Sequence, residues 1–160
     1  AEWLVQRPAW RRYDGGMGKP IPTVEWLHVC DHAFRDEAGK LCLVGMFDAL
    51  HSRQLPGRLP MMAAAIGITD GEGEYSIALQ VVTPAGRVMD MDLPALQLPE
   101  RRAKQRAVVR LNGLPFEEFG RYTFRLKIDD QPVEYPCHTI DHFELPDPES
   151  APSESGPSVN

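Results

Sequence analysis

The chain has 160 residues, of which 42% are hydrophobic and 25% charged, which is ordinary for a soluble protein of one globular domain. Its net charge of −6 excludes an overall basic field of the kind that attracts nucleic acid or anionic membranes. The three cysteines are too few, and odd in number, for a disulfide framework, and no apolar segment is long enough for a transmembrane helix. We therefore expect a cytoplasmic protein that contacts neither nucleic acid nor membrane.

The first 22 residues have no regular apolar period, and their aromatic side chains are scattered among Arg, Gly and Pro. We expect a loosely ordered arm over residues 1–22. Met17 is also a candidate natural start, which would make residues 1–16 an upstream extension.

The rest of the chain reads as strands separated by turns, since 15 Pro and 13 Gly interrupt short apolar runs. The pattern predicts eight strands, over residues 24–34, 41–51, 61–69, 74–83, 87–93, 104–112, 121–129 and 133–143. The run over 41–51 is nearly all apolar, which predicts a central strand buried on both faces. Over 121–129, Tyr122 and Phe124 alternate with polar residues and are expected to face the core.

Eight short strands at regular spacing are typical of an all-β protein. We predict an antiparallel immunoglobulin-like sandwich over residues 23–145. Residues 146–160 form an acidic segment rich in Pro and Ser with almost nothing to bury, so we expect a disordered tail.

Several motifs in this region are similar to those of a known family. They are H-V-C-D-H-A-F at 28–34, G-K-L-C-L-V-G-M-F-D at 39–48, L-P-G-R-L-P at 55–60, N-G-L-P-F-E-E-F-G-R-Y-T-F at 112–124 and I-D-D-Q-P-V at 128–133. Over about residues 24–140 the chain resembles a family of small uncharacterised bacterial proteins, known as a domain of unknown function. The resemblance implies a compact β-sandwich and no assigned activity, and it supplies no catalytic residues.

The F-G-x-Y-x-F pattern that ends at Phe124 also looks like a tyrosine corner at the start of a sandwich strand. In that device a buried tyrosine hydroxyl bonds back to nearby backbone. Tyr122 would hold the position, and its role would be structural.

One strand face carries residues that could bind a metal. Period-two alternation places His28, Cys30 and His32 on the same side of the first strand, and imidazole and thiolate are good zinc ligands. Further possible ligands are Cys42, Asp48, His51, Cys137, His138, Asp141 and His142. The alternative is a set of packing residues, since short side chains two apart on a strand must lean together to share an ion and no C-x-x-C or H-E-x-x-H pair is present.

The run 100–110 (ERRAKQRAVVR) is the most basic part of the chain. On an edge strand its charges would block edge-to-edge aggregation, and the functional alternative is a docking patch for an acidic partner. The Asp129–Asp130 pair reads as a hairpin turn rather than a calcium site, because no D-x-D-x-D spacing is present.

No nucleophile elbow or phosphate-binding loop occurs in the sequence. We therefore expect a non-catalytic binding or assembly module that uses no cofactor, with another protein or its own copy as the partner. Its contacts would lie in the proline-bounded loops over 53–60, 94–100 and 113–120 or at a sheet edge. The alternative is a metal-dependent enzyme that uses the His/Cys cluster of the first strand.

Overall fold

The structure, a computed structural model, describes residues 19–150. Within that range it has thirteen strands and one short 3₁₀ helix: β1 (Thr23–Arg35), β2 (Leu41–Met46), β3 (Ala49–Ser52), β4 (Gly57–Arg58), β5 (Ala63–Thr69), β6 (Gly73–Tyr75), β7 (Ile77–Val82), β8 (Val88–Asp92), β9 (Leu96–Leu98), β10 (Gln105–Arg110), β11 (Pro115–Phe116), β12 (Gly120–Ile128), β13 (Gln131–Glu144) and the 3₁₀ helix Pro148–Ser150. The chain is all-β, as the sequence predicted. No helix in the described range is long and apolar enough to span a membrane.

Two large sheets form the body of the protein. One is four-stranded, in the order β10-β5-β1-β2, and the other is five-stranded, in the order β3-β13-β12-β7-β8. Two ribbons of two short strands, β11-β4 and β6-β9, complete the described part. All pairings are antiparallel except that of β3 with β13, which is parallel and differs from the purely antiparallel arrangement we predicted.

The main core joins one face of each large sheet. It contains alternate residues of β1 and β5 from the first sheet and of β7 and β12 from the second, among them Leu27, Ile66, Leu79, Phe124 and Leu126, which are fully buried. The predicted alternation of Tyr122 and Phe124 is confirmed, because both lie in this core. Burying a side chain as large as Phe124 contributes about 2–3 kcal/mol to the free energy of folding.

Several expected strands are divided in the structure. The expected strand 41–51 is β2 and β3, which belong to different sheets and lie at their edges, so the prediction of a central strand is wrong. The chain leaves the first sheet at Phe47 and Asp48, and Val44 and Met46 stay more than half exposed. The strand buried on both faces is β5, which has β10 and β1 as neighbours.

The proline-bounded connections contain short paired strands that the sequence did not predict. The loops over 53–60 and 113–120 pair with each other as β4 and β11, and the loop over 94–100 contains β9, which pairs with β6. They are therefore parts of the sheet framework.

The outer face of β5 carries the small residues Ala63, Ala65 and Gly67. This allows other groups to approach its backbone: a Cβ on Gly67 would lie 2.4 Å from the indole of Trp26. Farther along, Ala63 and Ala65 form a second small cluster with Cys30 and Ala33 of β1. The β1–β2 hairpin therefore covers part of the outer face of its own sheet.

Two buried tyrosine hydroxyls form hydrogen bonds with backbone groups that lie just before strands. The Tyr122 hydroxyl accepts from the amide of Glu118 at 3.0 Å and donates to the carbonyl of the same residue at 3.1 Å, which is the geometry of a tyrosine corner. Tyr75 accepts from the amide of Glu72 at 2.9 Å and donates to the carbonyl of Pro20 at 2.5 Å. This second bond ties the segment before β1 to the sheets.

The turn between β12 and β13 is a two-residue hairpin. Asp129 and Asp130 both have positive φ, 46° and 64°, as the tight turns of antiparallel hairpins require. The predicted arm lies outside the described residues up to residue 18, and the predicted tail lies outside them from residue 151.

Candidate functional site

The three residues expected on one metal-binding face have separate neighbours in the structure. The His28 ring stacks on Trp26, with centroids 5.9 Å apart, and meets the edge of His138 at 6.3 Å. Cys30 is buried, and its thiol donates to the carbonyl of His32 at 3.4 Å, while the His32 ring stacks on Phe34.

Across residues 19–150, no three side chains of His, Cys, Asp or Glu come together as a possible metal-binding group. The hypothesis of a metal site at His28, Cys30 and His32 therefore gains no support from these contacts. Burial raises the pKa of the Cys30 thiol, which disfavours the thiolate that a metal or a nucleophilic reaction requires. All three cysteines carry free thiols.

A serine and a histidine that the sequence did not single out as a pair meet at the ends of β3 and β13. His142 Nδ1 donates to the carbonyl of Glu118 at 2.7 Å, and this leaves Nε2 to accept from the hydroxyl of Ser52. This arrangement resembles a nucleophile and its general base. Gly57 fills the space beside it, because a Cβ there would lie 2.5 Å from Ser52 Oγ and 2.8 Å from the His142 ring. The pair therefore packs closely against Gly57 and links the ends of β3 and β13 to the start of β4.

The strongest candidate for a binding site is a hollow of about 350 Å³ between the β1–β2 hairpin and β10. It is lined by Ala33, Phe34, Arg35, Arg106, Val108 and Arg110, and we call it the arginine hollow. Its volume lies within the range of small ligand sites. The location follows from the fold, because the hairpin covers the outer face of the sheet whose edge is β10.

The register of β10 with β5 determines which side chains of β10 line the arginine hollow. Arg106, Val108 and Arg110 alternate with residues that face the core, and they pair across the strands with Gly67, Ala65 and Ala63. The two arginines are four residues apart, so their Cα atoms are separated by about 13 Å along the strand.

The third arginine comes from a distant part of the sequence. Arg35 Nη2 donates to the carbonyl of Arg106 at 3.2 Å, and Nη1 donates to the carbonyl of Gly39 at 3.2 Å. Both partners are neutral, so the positive charge of Arg35 is not compensated. The neighbouring carboxylate of Asp36 accepts from the backbone amide of Lys40 at 2.8 Å.

The hollow therefore combines three cationic groups with an apolar surface. Among the residues that the structure describes, none of the three guanidinium groups has a carboxylate partner within 4 Å. Other arginines differ, since Arg87 and Arg121 pair with Glu117 and Asp141. A guanidinium forms two parallel hydrogen bonds with a carboxylate, so this arrangement is suited to bind an acidic group.

The sequence indicated only part of this site. The basic run 100–110 was expected at a sheet edge, and β10 does lie at the edge of the four-stranded sheet. Arg35 and Phe34 were missed, because nothing in the sequence links them to a strand 71 residues away. Val44 and Met46 on the paired strand β2 are also exposed.

The model of a family described as a family of unknown function (DUF6941) matches residues 25–136. The chain belongs to this family. The region matched to DUF6941 includes both halves of the arginine hollow, whereas His142 lies beyond it. No curated protein matches the chain.

Proposed function

We propose that this chain is a non-catalytic binding module that holds an acidic segment of a partner protein in the arginine hollow. The observation that supports the proposal is the meeting of Arg35, Arg106 and Arg110 around one hollow, each without a carboxylate partner among residues 19–150. A cluster of unpaired charges repels itself, and a ligand of opposite charge removes that cost.

The apolar residues of the hollow favour a protein segment as the ligand. Phe34 and Val108 are both more than a third exposed and line the same hollow as the arginines. Recognition of protein segments commonly combines a buried apolar anchor with charged groups at its rim. Nucleic acid is disfavoured, because the net charge of the chain is −6 and the basic surface is small.

The same proposal includes three finer expectations. Two sheets that share a core, together with the Tyr122 corner, support an immunoglobulin-like sandwich, although the parallel pair and the number of strands depart from eight antiparallel strands. The free thiols support a cytoplasmic location. A bacterial source rests on the motif resemblance.

The test uses fluorescein-labelled hexaglutamate as the probe, with hexaglutamine as the neutral comparison. Binding is measured by fluorescence anisotropy, and the site is located by amide chemical shifts in NMR spectra of the full chain. We expect binding of hexaglutamate alone, weakened strongly in about 0.5 M salt. The shifted amides should lie in 33–35 and 105–110.

The variant R35Q/R106Q/R110Q should bind hexaglutamate at least about tenfold more weakly, since each lost charged hydrogen bond costs at least one factor of ten. The matched control is R53Q/R87Q/R121Q, which removes the same charge at positions that do not line the hollow. Equal weakening in both variants, shifts at other residues, or no binding at about 1 mM peptide would each refute the proposal.

A further inference from the structure

The outer edge of β10 offers backbone groups for pairing, and this inference rests on the proposed function of the arginine hollow. The amide of Leu111 donates to the carbonyl of Met62 on the β5 side at 2.8 Å. Backbone groups alternate in direction along an antiparallel pair, so those of Val108 and Arg110 point away from β5. The carbonyl of Arg106 also points away from β5, and it accepts a hydrogen bond from Arg35. No strand pairs with this edge in the described part of the chain.

A second hollow lies on the other side of the same strand. It has a volume of about 360 Å³ and opens between the two sheets; it is lined by Ile68, Ile77, Leu93–Gln97 and Gln105–Val109. We call it the inter-sheet hollow. Its lining is mainly apolar, in contrast to the arginine hollow. The free edge of β10 is therefore flanked by a cationic hollow on its outer side and an apolar hollow on its inner side.

We propose that β10 binds its partner by strand addition, and that the added segment alternates acidic and apolar side chains. Successive side chains of a strand point to opposite faces, so a segment paired with β10 would direct every second side chain into each hollow. Residues opposite Arg106, Val108 and Arg110 are acidic and face the guanidinium groups. Residues opposite Ala107 and Val109 are apolar and enter the inter-sheet hollow.

A different protein fits this edge better than a second copy of the chain. The β8 strand has the sequence V-M-D-M-D and is also an edge strand, so it carries the required alternation. Its Met89 and Met91 already pack against the core of their own molecule, and therefore cannot enter the inter-sheet hollow of another copy. The partner segment must have its apolar side chains free.

The first test compares peptides of one composition. The alternating peptide Ac-ELELEL-NH2 and the block peptide Ac-EEELLL-NH2 have the same charge, and only the first can present one kind of side chain to each hollow. We expect the alternating peptide to bind at least about tenfold more tightly and to slow amide hydrogen exchange at Val108 and Arg110. Methylating the alternate peptide nitrogens on one edge of the strand should abolish this preference, and methylating the other edge should not.

The second test changes the protein. Val108→Pro removes a free-edge N–H that makes no bond to β5 and is tolerated best on an edge strand, whereas Val108→Thr keeps that N–H. We expect V108P to lose the preference for the alternating peptide and V108T to retain it, with both variants checked for folding by NMR.

The outcomes separate the two proposals. Equal binding of both peptides with unprotected Val108 and Arg110 amides would overturn strand addition and leave acid binding at the arginine hollow in place. Loss of hexaglutamate binding as well would overturn both. Self-association that protects the amides of residues 88–92 together with Val108 would assign the edge to a second copy and overturn the choice of partner.

Discussion

Replacing Tyr122 by Phe removes one oxygen atom from the core and tests the tyrosine corner directly. The carbonyl of Glu118 keeps its bond from His142 Nδ1 at 2.7 Å, but the amide of Glu118 loses its partner. An unsatisfied amide of this kind costs about 1–3 kcal/mol, and the gain from no longer burying a hydroxyl offsets part of it. We expect a loss of about 1–2 kcal/mol in the free energy of unfolding, or a few degrees in melting temperature.

Urea unfolding followed by circular dichroism measures this loss, and the denaturant dependence (m value) should stay unchanged. Tyr135→Phe is the matched control: Tyr135 is 83% exposed, so the effect of this substitution should stay below about 0.5 kcal/mol. Faster hydrogen exchange at the amide of Glu118 should accompany the main effect. A loss no larger than that of the control would refute the reasoning.

Three further experiments test other contacts. Gly57→Ala should destabilise the fold by about 1–3 kcal/mol, because the added methyl group would lie 2.5 Å from Ser52 Oγ; an unchanged urea midpoint would contradict this. Cys30 should react with iodoacetamide much more slowly than Cys42 at about pH 8, measured by peptide mass spectrometry, because burial raises the pKa of its thiol; equal rates would count against that environment. The hydrogen bond from Lys127 lowers the pKa of Asp90 below its ordinary value of 3.8. The stability lost in Asp90→Asn should therefore be constant above pH 3.8 and shrink as the pH falls through the lowered pKa of the folded state. A loss of stability that persists in acid would exclude the ion pair as its cause.

The sequence predicted the parts of the fold that depend on local alternation. In β12, apolar residues alternate with polar ones, and Tyr122 and Phe124 lie in the core as expected. The prediction of one central strand over 41–51 was wrong because the chain passes from one sheet to the other within this apolar run. A continuous apolar run does not distinguish a buried central strand from two edge strands that belong to different sheets.

Only half of the candidate site could be predicted from the sequence. A basic run on a strand signals an edge, and that signal located Arg106 and Arg110. Arg35 joins them because the β1–β2 hairpin covers the outer face of β5, where Ala63 and Ala65 leave space. Such a meeting depends on tertiary packing between distant segments, which periodicity does not encode.

The parallel pairing of β3 with β13 has a consequence for the order of folding. It joins residues 49–52 to residues 141–144, so the five-stranded sheet cannot be completed until nearly the whole described chain is present. Contacts of such long sequence separation slow folding, because the loop between them must be closed first. A chain emerging from the ribosome would therefore hold β1, β2 and β5 as an early unit, while β3 has no partner strand until β13 has been synthesised.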